Sequence, residues 1–251
     1  YARATTARTG VLDCTKLHTY KYNEDLFRKV TTLAEGKNHG LMFLLDWSGS
    51  MCNVMEDTLK QLYNLMWFCK KVNIPFDVYA FTNDYPWKEN LNYLPRGTYV
   101  PKEGLMMMPD WTSLMHLFTH RTKLKVLEQQ MRNMYRVAWT FTKYSEYRIP
   151  IGLSLSGTPL NEALVAFNAI IPKFKQNNNL QKVQCVILTD GEGCSNKFHK
   201  TVQRHWEAEP YLGVRSFGPN CYIRNRKNGK TYHVGHNWWE VTDSFLRLIS
   251  D

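Results

Sequence analysis

Three oxygen-bearing side chains stand at alternate positions where a predicted buried strand ends. Asp46, Ser48 and Ser50 follow the apolar run Leu41–Leu45, which is too short to cross a membrane and is followed by a turn. A parallel α/β sheet places its ligands at the carboxyl ends of its strands, so these side chains indicate a site. A carboxylate and hydroxyls are hard oxygen donors, which suit Mg²⁺ or Mn²⁺ rather than zinc or copper.

The spacing Asp-x-Ser-x-Ser resembles the first loop of the metal-ion-dependent adhesion site (MIDAS) of von Willebrand factor A (VWA) domains. In that family, later loops add a threonine and an aspartate. Gly157–Leu164 carries Thr158 in front of a predicted helix, and Val186–Gly191 is an apolar strand that ends at Asp190. Because the segments occur in the family's order, each at a strand end or a helix start, the sequence predicts a complete site.

The resemblance implies a role for each residue of this site. Ser48 and Ser50 are expected to bind Mg²⁺ (or Mn²⁺) directly, and Thr158 to supply a further hydroxyl, directly or through water. Asp46 and Asp190 are expected to act largely through coordinated waters and through hydrogen bonds to the serines. Mg²⁺ keeps several waters, and neutral hydroxyl ligands leave a position that a partner's carboxylate can complete. The resemblance thus implies metal-dependent protein binding without bond breaking.

Further segments resemble CobT-type cobaltochelatase subunits. They are Asp46–Met51, Leu155–Leu160 and the lead-in segment Gly10–Asp13. Asp46–Met51 and Leu155–Leu160 also resemble CobT-like proteins of large tailed bacteriophages. In that family the VWA domain is the partner of a hexameric AAA+ ATPase of the CobS or MoxR type, in a complex linked to cobalamin biosynthesis. The resemblance implies a non-catalytic subunit in the cytoplasm of a bacterium or of a phage-infected host.

A metal-dependent hydrolase is the alternative class. Aspartyl-phosphate phosphatases also begin at a strand that ends in Asp, but they need a second acid where this chain has Ser48. The segment Gly152–Gly157 lacks the Gly-x-Ser-x-Gly pattern of a nucleophile elbow. Glu192, shortly after Asp190, is a candidate base or extra metal ligand. We favour the interpretation that it is a loop acid that tunes the metal.

An Asn-Gly pair between β-rich arms predicts a hairpin over 222–234. The hairpin carries Tyr222 and Tyr232 together with cationic side chains that are candidate partner-binding residues: Arg224, Arg226, Lys227 and Lys230. Cationic and aromatic side chains together are typical of nucleic-acid binding. Charges that are simply solvated on a turn are the commoner explanation. Docking to an acidic protein is a third interpretation, intermediate between these two in how common it is. No nucleic-acid motif supports the first of these interpretations.

The composition fits a protein with a large core and an anionic partner. Hydrophobic residues make up 43% of the 251 residues, and the net charge is +10. No apolar run reaches the roughly 18 residues of a membrane span, so no membrane association is expected. The six cysteines form no C-x-x-C pair, which favours a reduced, cytosolic protein. Since the first residue is Tyr1 and not Met, we expect a piece of a longer chain.

Strands and helices alternate along the chain, which predicts an α/β fold: a three-layer α/β/α sandwich (Rossmann-like VWA fold) with a mostly parallel central sheet. Residues 1–38 are interpreted as a lead-in arm with a short helix, and 39–251 as the VWA domain with an insertion at about 82–150. Within the insertion, Met106–Met108 is a candidate adaptable contact surface. Predicted strands cover 40–46, 76–81 and 183–189, and predicted helices cover 56–72, 124–144, 162–174, 197–208 and 238–249.

Overall fold

The chain divides into two units, Tyr1–Asn38 and His39–Asp251. The computed structural model describes residues 3–6, 13, 14, 16, 19, 21, 30–33, 38–83, 100–109, 112–142, 149, 150, 152–191, 193, 194, 196–206, 208–235 and 237–250. In the first unit, β1 (Arg3–Thr6) pairs antiparallel with β2 (Val30–Leu33). A short helix was expected within the lead-in arm of residues 1–38, and most of that arm falls outside the described residues.

The second unit begins with β3 (His39–Asp46), a short 3-10 helix (Ser50–Asn53), α1 (Met55–Lys71) and β4 (Phe76–Thr82). Next come β5 (Ser113–Thr119), α2 (Leu124–Thr142), α3 (Leu160–Asn177) and β6 (Lys182–Leu188). The remaining elements are β7 (Lys197–Val202), β8 (Tyr211–Ser216), β9 (Tyr222–Arg224), β10 (Thr231–His233) and α4 (Trp238–Ser250). No helix in the described part of the chain is long and apolar enough to span a membrane.

The central sheet of the second unit has four strands in the order β5-β4-β3-β6. β3 is parallel to both of its neighbours, β4 and β6, whereas β5 is antiparallel to β4. A strand between parallel neighbours is covered on both faces, which explains the uninterrupted apolar run of β3. The prediction of a mostly parallel sheet is confirmed.

Successive side chains of β3 point into different cores, as the pleat of a strand requires. Phe43 and Leu45 are buried against α1 and α2, whereas Met42 and Leu44 are buried against α3 and α4. The predicted three-layer α/β/α sandwich is therefore confirmed. Because β5 and α2 belong to these layers, a large part of the described residues in 82–150 builds the sandwich itself.

Two antiparallel hairpins, β7–β8 and β9–β10, accompany the sandwich. The predicted hairpin over 222–234 is confirmed, with Gly229 at φ +74° in its turn. The helix predicted over 197–208 is wrong, because Lys197–Val202 forms β7. The backbone of β7 also pairs with the segment around Met106, where the His199 N–H donates to the Leu105 carbonyl at 2.9 Å. A partner so distant in sequence cannot be recognised from the local pattern.

Candidate cation site

The end of β3 carries Asp46 into a loop that the core holds in place. Asp46 and the next residue, Trp47, are both 0% exposed. The Trp47 indole N–H donates to the Leu153 carbonyl at 2.8 Å, and its backbone N–H donates to the Phe81 carbonyl on β4 at 3.0 Å. These anchors fix the point at which the chain leaves the sheet.

The second of the predicted loops lies directly against the first. The Gly49 N–H donates to the Ser156 carbonyl at 2.7 Å, and Ser48 forms a parallel bridge with Ser156. The Gly157 N–H in turn donates to Asn83 Oδ1, just after β4, at 2.6 Å. A Cβ on Gly157 would lie 2.7 Å from that oxygen, so glycine permits the close approach of the loop to Asn83.

Side-chain hydrogen bonds join the first loop to the third. The Ser48 and Ser50 hydroxyl oxygens lie 3.0 Å apart, and Ser50 Oγ donates to Asp190 Oδ1 at 2.9 Å. Thr189, which the sequence did not single out, donates from Oγ1 to Asp46 Oδ2 at 2.7 Å. The structure thus connects Asp46, Ser48, Ser50 and Asp190, the residues expected at the end of β3 and after β6.

The electrostatics of Asp46 favour a positive charge nearby. Its Oδ1 is buried and accepts no hydrogen bond from any described residue. Burial raises the pKa of Asp46, and the negative charge of Asp190 adds to that shift. Hydrogen bonds to the carboxylate from the Thr189 hydroxyl and from the hydroxyl and backbone N–H of Ser48 oppose it. A buried carboxylate oxygen without a donor is costly unless a cation offsets its charge.

The Thr158 backbone contacts the segment that follows Asp190, and no hydrogen bond joins its hydroxyl to another described residue of the predicted site. Its carbonyl accepts a hydrogen bond from the Cys194 N–H at 3.0 Å, which ties its loop to the segment that follows Asp190. Its side chain is half-buried. Glu192, the candidate tuning acid, lies outside the described residues.

A buried polar cluster, missed at the level of sequence, positions the third loop. The Asn196 side chain donates from Nδ2 to Glu162 Oε1 at 2.8 Å, and its Oδ1 accepts from Asn161 Nδ2 at 2.5 Å. We call these residues the polar clamp; each is between 0% and 5% exposed. Burial raises the pKa of Glu162, and hydrogen bonds to its carboxylate from its own backbone and from Asn196 oppose the shift. The available signal was a pair of polar residues in the otherwise apolar first turn of α3.

The donor set fits a hard divalent cation. Carboxylate and hydroxyl oxygens meet at the end of β3, and Mg²⁺ and Mn²⁺ prefer such ligands. Among the residues that the structure describes, no group of three His, Cys, Asp or Glu side chains is placed to hold a metal. The hydroxyls of Ser48 and Ser50 would therefore have to complete the coordination, which is the role that the resemblance to VWA domains implies for them.

Comparison of the chain with protein-family models, curated proteins and solved structures gives no match.

Proposed function

We propose that this protein is a VWA-type domain that holds Mg²⁺ (or Mn²⁺) at the end of β3 and uses it to bind another protein, without catalysing a reaction. The observation that carries the proposal is the hydrogen-bonded set of Ser48, Ser50 and Asp190 beside the buried Asp46 oxygen that has no described donor. A bound cation would supply the missing positive charge and an open coordination position for a partner's carboxylate.

Some residues of the site fix its side chains and backbone, and others are exposed to a binding partner. Thr189 orients Asp46 through its hydroxyl, and the bond from Gly49 to Ser156 fixes the backbone of the serine loop. Side chains held in this way lose little freedom when they bind a ligand. Ser50 and Asp190 are exposed, so a partner can approach the site from their side.

We further propose an AAA+ ATPase of the CobS or MoxR type as the partner, with this chain as a CobT-like accessory subunit in a bacterial or phage-infected cytoplasm. Support comes from the resemblance of Asp46–Met51 and Leu155–Leu160 to the corresponding CobT segments. The net charge of +10 also favours an acidic partner surface.

A pull-down from native host lysate tests this proposal. Wild type, Asp46→Ala and Ser50→Ala are compared in Mg²⁺ and in EDTA, and retained proteins are identified by mass spectrometry. Asp57→Ala is the matched control, because Asp57 is an acid on α1 whose side chain is 80% exposed. We expect wild type and the control to retain an AAA+ ATPase in Mg²⁺ only, and the site variants to lose it. Retention that is indifferent to both metal and Asp46 would contradict the proposal.

A further inference from the structure

A cleft of about 1250 Å³ shares no residue with the candidate cation site. Its floor is apolar: Phe198 and Phe217 stack at a centroid distance of 5.7 Å, and Phe217 also contacts Phe245 of α4 at 6.4 Å. Met106 and Val165 extend this apolar lining on the facing walls. The cleft is larger than the roughly 300–1000 Å³ of typical small-molecule pockets, which favours a chain segment as its occupant.

Positive charge surrounds this apolar floor. Its lining includes the exposed cationic side chains of Lys200, Arg224, Arg226 and Lys227. Glu103 is the single acid among the described lining residues, and both of its oxygens accept hydrogen bonds from Thr201. None of the cationic side chains forms an ion pair with a described carboxylate; the Lys227 ammonium donates to the Asn168 carbonyl at 3.0 Å.

The turn that carries part of this charge is rigidly built. Asn225 is 8% exposed, and its Oδ1 accepts a hydrogen bond from the Lys227 N–H at 2.9 Å. Its backbone N–H donates to the Lys230 carbonyl at 2.9 Å, and its own carbonyl accepts from the Gly229 N–H at 2.8 Å. A turn fixed before binding lowers the entropic cost of using its charges.

We propose that the cleft binds an acidic peptide segment of a partner protein, with apolar side chains on the aromatic floor and carboxylates on the cationic rim, independently of any metal. Methionine and aromatic floors accept varied apolar side chains, and the cations select against basic segments. A single-stranded nucleic acid fits less well. It needs exposed aromatic faces for its bases, whereas the floor rings are buried or half-buried and Tyr222 is the lining aromatic that is well exposed, at 65%.

Selection from a display library of random peptides of about 12 residues, which span up to about 40 Å when extended, tests the proposal. The selection is done in EDTA, so that the cation site cannot contribute. We expect recovered peptides to be rich in Asp and Glu with at least one aromatic or large aliphatic residue. Their dissociation constants are then measured by fluorescence polarisation, and oligothymidine of about 12 nucleotides is titrated in parallel.

Three variants separate the cleft from general charge attraction. Arg224→Glu/Arg226→Glu should weaken the selected peptides by about tenfold or more, since it reverses charge at the rim. Val165→Trp should weaken them without any change of charge, because the larger side chain would occupy part of the cleft. Lys173→Glu/Lys175→Glu, on exposed positions of α3 outside the cleft, is the matched control and should have less than about a twofold effect. Thermal unfolding monitors the fold of each variant.

Several results would overturn this proposal. They are recovery of peptides without acidic enrichment, equal loss in both charge-reversal variants, no loss in Val165→Trp, and tight binding of oligothymidine in place of peptides. Each of them leaves the cation site untouched, because that site is tested in the presence of metal with substitutions at other residues.

Discussion

The strands that end at the candidate cation site lie side by side, yet they are held very differently. β3 is an inner strand, and its residues from Met42 to Asp46 are buried. β6 is the outer strand on its side of the described sheet, and Lys182, Gln184 and Cys185 are exposed. Asp46 is therefore fixed by the core, whereas Asp190 depends on contacts made by its loop. The comparison teaches that a single site can combine a rigid half, here the end of β3 with Asp46, with an adjustable half, here the loop after β6 with Asp190, whose position depends on local contacts.

The largest expected effect comes from a matched pair of core substitutions. Leu45 on β3 and Leu188 on β6 are register partners that contribute to the same core, but Leu45 is fully buried and Leu188 only partly. We expect Leu45→Ala to lower the free energy of unfolding by about 2–5 kcal/mol and Leu188→Ala to lower it by clearly less. Urea denaturation measures both values. Equal losses would show that β6 is as firmly held as β3.

Removal of the polar clamp should loosen the adjustable half of the site, the loop that follows β6. Asn196→Ala leaves Glu162 Oε1 and Asn161 Nδ2 buried without their partner, so we expect a loss of about 1–3 kcal/mol in the free energy of unfolding. The matched control is Asn133→Ala, since Asn133 is exposed on α2 and accepts from Gln129 at 3.0 Å. That variant should change stability by less than about 0.5 kcal/mol. A clamp variant as stable as the control would refute the positioning role.

The pH dependence of stability tests the role of the polar clamp further, through its carboxylate, Glu162. Because burial raises the pKa of Glu162 above its usual 4.5, its contribution to stability is present below about that pH and is lost as the pH rises through the folded pKa. Glu162→Gln should therefore be more stable than wild type at neutral pH, and the difference should vanish below about pH 4.5. Thermal melting across a pH series measures it. Glu209→Gln, at an exposed position, serves as the control. A pH-independent difference for Glu162→Gln would contradict this explanation.

The parts of the fold that were predictable are those with a local signal. The apolar run of β3, the helical periodicity of α2 and the Asn-Gly turn of the second hairpin each contain their own pattern, so their type and approximate bounds followed from sequence. α3 was also recognised, although it begins at Leu160, two residues before the predicted start at 162. The positions of the site loops in the sequence could be predicted for the same reason, because each loop lies at the end of an element with a local signal.

The remainder depends on which segments meet in space. β7 was taken for a helix because its pairing partners, β8 and the segment around Met106, are remote from a local window. Nothing in the apolar sequence of β6 indicates that it lies at the edge of the described sheet, where Cys185 is exposed. The polar clamp could not be predicted either, since nothing local indicates that Asn196 returns to the start of α3.

Titration of Mn²⁺ into the purified protein, followed by calorimetry and by competition with Mg²⁺, tests the central claim most directly. We predict saturable binding of Mn²⁺ that Ser50→Ala and Asp190→Asn each weaken by about 10–100-fold. Ser50→Ala removes a hydroxyl oxygen from the set, and Asp190→Asn removes a negative charge and replaces a carboxylate oxygen by an amide nitrogen. The control Asp57→Asn should bind as wild type does. Absence of saturable Mn²⁺ binding to the folded wild type, or binding that Ser50→Ala and Asp190→Asn leave unchanged, would contradict the claim that these loops form a cation site.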